Sequence, residues 1–493
     1  MPGTFSKSNR PKRPGAYFNF VATQSETILP NSAGRVCLLV QHDWGPFETP
    51  TLLNSLAEWK SVFGPSETTP GYKAVYQAFK GEGLPGRGGA GSVIAIRYGT
   101  SEVKATVTIN QSPGDTTAAI VLTAVYPGAY GNNLTSTVEA NAADGTNYND
   151  LVIKLGGVEV ERYVYAKTDI TALGAAVNAS SEWVTASVSN SGTAMVQSTK
   201  SFASGASGTV DVASADFAVA LDLAETQRFG VMAMDDIAGT DWAGGVTADS
   251  ILAAWETWAV NLNSKGKRFI SVVGGALDET ISTAVTRSGT LNRSDFVNVG
   301  KGGVVDASLG TLSTSQLAPR IAGILAATGE ERSLTFTRLQ GCTARNFCTE
   351  AQILTGFDGG VVVLATDNHP DAPVRVEKGL TTYTGGDSTK PYTIYRNPKY
   401  VRTTHGIETD ITEWAEINVI GQLQISDSTR AYVVGHAKSV IKAREDRGVL
   451  QPGSTVLVDQ DPPPSADDEF IALAYGIAFG RSVEQIYNTV VVA

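Results

Sequence analysis

Six short apolar runs constrain this chain more than any other feature: GRVCLLVQ (34–41), SVIAIRYG (92–99), RFGVMAMDD (228–236), RFISVVGG (268–275), DFVNVGKGGVV (295–305) and VVVLAT (361–366). Runs this short, rich in Val and Ile and bounded by Gly, read as buried strands. Between them lie helical spacings. LLNSLAEWKSVFG (52–64) sets Leu53, Leu56, Trp59 and Val62 or Phe63 on one face and stops at Gly64–Pro65, and KAVYQAFKG (73–81) follows it. A helix over 248–264 carries Ile251, Leu252, Trp255, Trp258, Ala259 and Leu262; further helices are expected at 315–329 and 349–357. Strands alternating with helices predict an α/β core, and the 228–275 unit predicts a parallel pair joined by a right-handed crossover.

From Ser101 the texture changes. TAAIVLTAVYPGAYGNNLTSTVEA (117–140) and NDLVIKLGGVEVERYVYA (149–166) are Val/Thr/Ile runs cut by Gly, Asn and Asp, as in an antiparallel sandwich or barrel, and SFASGASGTV (201–210) reads as a small-residue linker back to the parent domain. Beyond Tyr400 two helices are expected, at 406–424 and 428–446, followed by strands at 469–480 and 483–493. The fold class is therefore α/β and α+β multidomain: an extended arm (1–27), a core in two parts (28–100 and 213–385) around an inserted β domain (101–212), and a C-terminal α+β domain (386–493) with an extended terminal strand.

Composition excludes several classes. In 493 residues with a net charge of −11, no clustered Lys and Arg favour a nucleic-acid backbone, apart from the Pro- and Gly-rich arm with Lys7, Arg10, Lys12 and Arg13. No apolar run approaches a membrane span and the first residues lack a secretory apolar core, so a chain made in and retained by a cytoplasm is expected. Three cysteines build no disulfide framework: Cys37 reads as core, and Cys342 and Cys348 lack a second pair or a His at metal-ligand spacing.

Motifs that could carry chemistry have plainer explanations. GRGGAG (86–91) fits G-x-G-x-x-G, but it follows a helix and opens a strand, the reverse of the order in which helix amides meet a pyrophosphate. His42, His369, His405 and His436 fall in different segments, and DQDPPPSADDE (459–469) is stiffened by three prolines. The sequons at Asn133 and Asn178 are expected chance matches, and Trp255 and Trp258 suit core packing. No catalytic residue, metal or cofactor is expected. A basic face with Lys438, Lys442 and Arg444 on the last helix could meet an acidic partner protein.

RPGAYFNF (13–20), WGPFETPTLLNSLAEWKSVFG (44–64), KAVYQAFKGEG (73–83), VYPGAYGNNLTSTVEA (125–140), QLAPRIAGILAATGEERSLTFTRLQG (316–341), VRVEKGLTTYT (374–384) and VEQIYNTVVV (483–492) stand in the order found in phage tail sheath proteins, which the chain resembles over most of its length. Tyr130 replaces the family's usual Trp, and the second C-terminal helix lacks an Asn-x-x-Gly-Arg segment. The resemblance implies a helical homopolymer around a tail tube protein, bounded by baseplate and tail terminator proteins. It implies assembly in a host cytoplasm, residence in the virion tail, and contraction that drives the tube through an envelope without direct membrane insertion or nucleic-acid binding. It also implies strand exchange between subunits. The segments suited to it are Ala16, Tyr17, Phe18, Asn19, Phe20 and Val21 at one end and Gln485, Ile486, Tyr487, Asn488, Thr489, Val490, Val491 and Val492 at the other, since extended segments attach to open sheet edges through main-chain hydrogen bonds. Lys438, Lys442 and Arg444 are the candidate tube contacts. The alternatives are the sheath of an R-type bacteriocin, an α/β enzyme, and a secreted surface protein.

Overall fold

The computed structural model describes residues 3–4, 17–18, 34–85, 87–111, 117–190, 195–345, 348–366, 373–386, 392–460 and 470–482. Two units are present. In Met1–Asn31, the strands Gly3–Thr4 and Tyr17–Phe18 pair in parallel. Everything else belongs to Ser32–Ala493.

The second unit is organised by an eight-stranded sheet, in the order Arg375–Val376, Val361–Ala365, Phe296–Gly300, Ile270–Gly274, Val231–Met234, Arg35–Val40, Ser92–Arg97, Thr51–Leu53. The six central strands are parallel and the two edge strands antiparallel to their neighbours. All six expected apolar runs contribute, because a parallel sheet is covered on both faces and its strands cannot alternate with polar residues. Val36, Leu38 and Val40 pack toward the helices Pro70–Lys80 and Thr314–Ala327; Cys37 and Leu39 pack on the opposite face with Ser214–Glu225 and Ala248–Ser264. Trp255 is fully buried in that second layer and Trp258 packs against it, so both indoles are core.

Several boundaries differ from expectation for local reasons. The 52–64 run divides into an edge strand, Thr51–Leu53, and the helix Leu56–Phe63, because the Ser55 side chain caps the helix by accepting from the Glu58 amide. DFVNVGKGGVV divides too: Phe296–Gly300 joins the large sheet, while Gly303–Asp306 pairs with Gly310–Ser313 and Cys342–Ala344 in a separate antiparallel sheet. The first C-terminal helix is Pro398–Asn418, beginning eight residues before the expected 406, because Asn397 caps it and proline suits its first position. The second, Asp427–Asp446, lies where expected, and of 469–480 only Leu473–Gly476 is a strand.

After Arg97 the chain builds two antiparallel sheets. One holds Lys104–Asn110, Ala118–Pro127 and Val184–Val188; the other holds Leu134–Ala140, Tyr148–Leu155, Val158–Ala166 and Ser198–Ser201. They share one apolar core, which also receives Ile170, Leu173 and Val177 from the helix Ile170–Ser180, an element that the Ala- and Gly-rich sequence conceals. The small-residue segment after Ser201 is not slack: Ala203 and Ala206 exchange backbone hydrogen bonds with Thr106 and Val103, so outgoing and returning chain run paired. Trp44, from the loop after Arg35–Val40, enters this core, stacked on Trp183 with ring centroids 5.8 Å apart and edge-on to Tyr126 and Tyr130. Tyr130 thus fills its expected aromatic position.

The helices Thr314–Ala327 and Pro70–Lys80 pack closely. A Cβ on Gly323 would lie 2.1 Å from the Ala78 carbonyl oxygen, a backbone atom that cannot swing aside. Gly323→Ala is expected to destabilise the chain by about 1–3 kcal/mol, the usual cost of overpacking. Urea unfolding measures it; an unchanged midpoint would show that the two helices have room to separate.

Candidate functional site

In an open parallel sheet a ligand would bind at the carboxyl ends of the strands, where the strand order reverses. Here that point lies between Arg35–Val40 and Val231–Met234, and the residues leaving it are Gln41, His42, Asp43, Asp235 and Asp236. His42, Asp235 and Asp236 are engaged inside the fold. His42 contacts Thr69 Oγ1 at 2.6 Å and the Phe63 carbonyl at 2.7 Å, and burial lowers its pKa to about 3, so it is neutral at ordinary pH. Asp235 accepts from the Gln41 amide at 2.6 Å and the Asp236 amide at 2.9 Å. Asp236 accepts from the Gly239 amide at 3.0 Å and lies against Ser315 and Gln316, in the first turn of Thr314–Ala327. A helix N-terminus at this place attracts a phosphate in nucleotide-binding sheets, and here the chain's own carboxylate takes the position.

Neighbouring polar groups are equally committed. Glu279 holds Arg287 through two hydrogen bonds of 2.8 and 2.9 Å, Arg287 donates to Asn298 at 2.9 Å, and Thr314 donates to Glu279 at 3.2 Å. Within GRGGAG, Gly89 serves packing, since a Cβ there would sit 1.9 Å from the Ala78 carbonyl oxygen. Among the described residues no three His, Cys, Asp or Glu side chains are grouped to hold a metal ion, and no helix is long and apolar enough to cross a membrane.

The C-terminal region has the opposite character, with groups turned outward. Its helices Pro398–Asn418 and Asp427–Asp446 pack with the two-stranded ribbon Thr455–Val458 and Leu473–Gly476 around Ile407, Ala437, Ile441, Leu450 and Val456. Neither outer edge of the ribbon has a strand partner among the described residues, and Leu457, Phe470 and Tyr475 are exposed on or beside it. Around the turn between the helices Ile417 is 69% and Ile420 65% exposed, with Leu423 and Tyr432 close in sequence and Trp414 stacked on His436 at 3.8 Å. Hydropathy could have flagged this apolar tip; the expected helix, running to 424, hid it by placing Ile420 and Leu423 inside a helix that ends at Asn418.

The three candidate tube contacts separate. Lys438 and Lys442 are exposed, Lys442 pairing with Asp446 at 2.6 Å. Arg444 does not belong to that face: it is 4% exposed and turned inward, with bonds of 3.0 and 3.1 Å to Glu330 and 2.8 Å to Asp410. Of the strand-exchange segments, Tyr17 and Phe18 are described, as a strand; Ala16, Asn19, Phe20, Val21 and Gln485 to Val492 lie outside the described residues.

No protein-family model matches the chain. It is 24% identical over 421 residues to the phage-like element PBSX protein XkdK of Bacillus subtilis, spanning 83% of this chain and 81% of that protein. The crystal structure of the sheath tail protein of Desulfitobacterium hafniense superposes with a TM-score of 0.69 at 19% identity, covering 94% of this chain and all of that one. The contracted helical sheath of the anti-feeding prophage gives 0.52 at 12% identity, with 97% and 98% covered. The chain has the tail sheath fold.

The likeness covers nearly the whole chain at low sequence identity. Inside the sheath fold Asp235 is a costly group. Burial, with the Asp236 charge adding, raises its pKa to about 7, against the two amides that favour the carboxylate. Because the folded value lies above the ordinary 3.8, its contribution to stability is full below that pH and is lost as pH rises through about 7. The unfolding free energy of the native chain should therefore fall more steeply between about pH 4 and pH 7 than that of Asp235→Asn. Superimposable slopes in urea titrations would show that Asp235 ionises as an ordinary carboxylate.

Proposed function

We propose that this chain is the structural subunit of a contractile tail sheath, polymerising helically around a tail tube and contracting to drive that tube through an envelope. The observation that carries the reading is the match of sheath structures to nearly the full chain, including one in a contracted state. An R-type bacteriocin or other injection device would use the same subunit. The interior commitment of polar groups at the strand ends favours a structural role over an enzyme on the same α/β core.

In this reading the chain comprises an N-terminal arm (1–27), a sheath core (28–100 and 213–385), an inserted β domain (101–212) and a polymerisation region (386–493). The exposed ribbon supplies a reason for the last assignment. Two adjacent open edges are a liability in a protein that stays monomeric, and are suited to accept extended segments from neighbouring subunits. The donors are 16–21 and 485–492. Copies joined head to tail in this way generate an open helix rather than a closed ring pair. Contraction is then rigid-body rotation of the cores about strand linkers that stay attached, with packing energy stored at assembly as the source of work.

The polymer is expected to meet a tube protein, a baseplate and a terminator. The helix pair 398–446 supplies the tube contact through its apolar tip and the exposed Lys438 and Lys442, while Arg444 holds the pair to Glu330. Two outcomes follow. Removal of 485–493 should leave a chain with native circular dichroism that no longer sediments as polymer; polymer of normal yield would contradict strand donation. The double variant Lys438→Glu, Lys442→Glu should polymerise on its own but lose tube-templated assembly, and unchanged templating would remove the lysines from the tube contact.

A further inference from the structure

The large sheet ends in two differently charged edges. Beyond Arg375–Val376, the segment 336–339 adds a further rung: Phe336 donates its amide to the Val376 carbonyl, Val376 to Thr337, and Leu339 to Val374, with Arg338 opposite Arg375. Phe336 is 54% exposed at a backbone φ of 60°, a conformation bulky residues avoid, and the Arg375 guanidinium covers its ring at 4.7 Å. Arg338 is exposed, and among the described residues no carboxylate lies within ion-pair range of it. At the other edge Leu52 of Thr51–Leu53 is 49% exposed. Just before it Glu48, at φ 45°, is also exposed and donates its amide to the Arg97 carbonyl. Glu48 has no cation within ion-pair range among the described residues, and Glu102 and Asp216 add to its negative field.

Both edges thus present a large apolar side chain beside a charge that no described residue of the subunit pairs, and the charges are opposite. Their heights agree as well. Arg375 pairs with Ala365, the last residue of its parallel neighbour, and Glu48 bonds to Arg97, the last residue of Ser92–Arg97, so both lie at the carboxyl end of the sheet. Eight strands and the added segment, at roughly 4.8 Å spacing, put the edges about 38 Å apart, too far to satisfy each other within one molecule.

Building on the sheath reading, we propose that these edges meet between successive copies of the chain, Phe336 and Arg338 of one against Leu52 and Glu48 of the next. The contact is heterologous, so it repeats without closing on itself, and it joins core to core independently of strand exchange. A copy turned about an axis along the strands keeps both carboxyl ends level, bringing Arg338 to Glu48 in register.

The test compares full chains carrying E48K, R338E or both, by the critical concentration for sedimentable polymer at low salt. Each single reversal is expected to raise it by about threefold, the scale of a surface ion pair, and the double variant to return it to the native value. Raised salt should shrink the differences. If a reversal lowers the melting temperature, Glu48→Gln or Arg338→Gln replaces it, with a smaller rise expected. A double variant showing the product of the single effects, or singles without effect, would overturn the edge contact while leaving the sheath reading standing. A native chain that forms no polymer with or without tube protein would overturn both.

Discussion

The helix Thr314–Ala327 is the member on which the remaining layers depend, because nearly all of it is buried and a buried helix must satisfy both its ends. Its first turn is closed by Ser313 and Gln316 in a reciprocal cap, by Thr314 bonded to the Gly275 amide, and by Asp236. Its midpoint is fixed by Arg320, which donates to the Gly81 and Gln340 carbonyls and to Asp306. Its last carbonyls, from Leu325 with Thr328 and Gly329 just beyond, accept from Arg402 of the C-terminal helix, where a cation also complements the helix dipole. One helix therefore ties the strand ends, the small sheet and the C-terminal helix Pro398–Asn418 together.

Ionic contacts reinforce the same junction. Arg444 bonded to Glu330, Arg268 to Glu408 and Arg228 to Glu413 add ionic contacts between the C-terminal helices and the core. The polar groups His42, Asp235 and Asp236 at the sheet's switch point are likewise held, by hydrogen bonds. They are consumed in joining loop to helix, and Asp235 accepts the cost of burial for two backbone hydrogen bonds. The edges, the ribbon and the helical tip remain unsatisfied, and these are the surfaces an assembly would cover.

Much of this was legible in the residues and the rest was hidden for identifiable reasons. Buried parallel strands announce themselves as apolar runs, so all six were visible, whereas the split after Gly300 was not, because two strands of different sheets are continuous in sequence. Ile170–Ser180 was missed since Ala and Gly dilute its Ile170, Leu173 and Val177 stripe. Arg444 read as one more surface cation because its carboxylates come from Glu330 and Asp410, distant in sequence. No spacing in the chain could reveal that Trp44 leaves the core to pack among Trp183, Tyr126 and Tyr130.

The central claim is that neighbouring subunits are linked by strands added to the ribbon Thr455–Val458 and Leu473–Gly476. A helical reconstruction of the native polymer by cryo-electron microscopy tests it most directly. The account requires the ribbon to gain strands traceable to the 16–21 and 485–492 segments of adjacent subunits. A well-resolved polymer in which the ribbon still has two strands, with those segments folded back on their own chain, would contradict it.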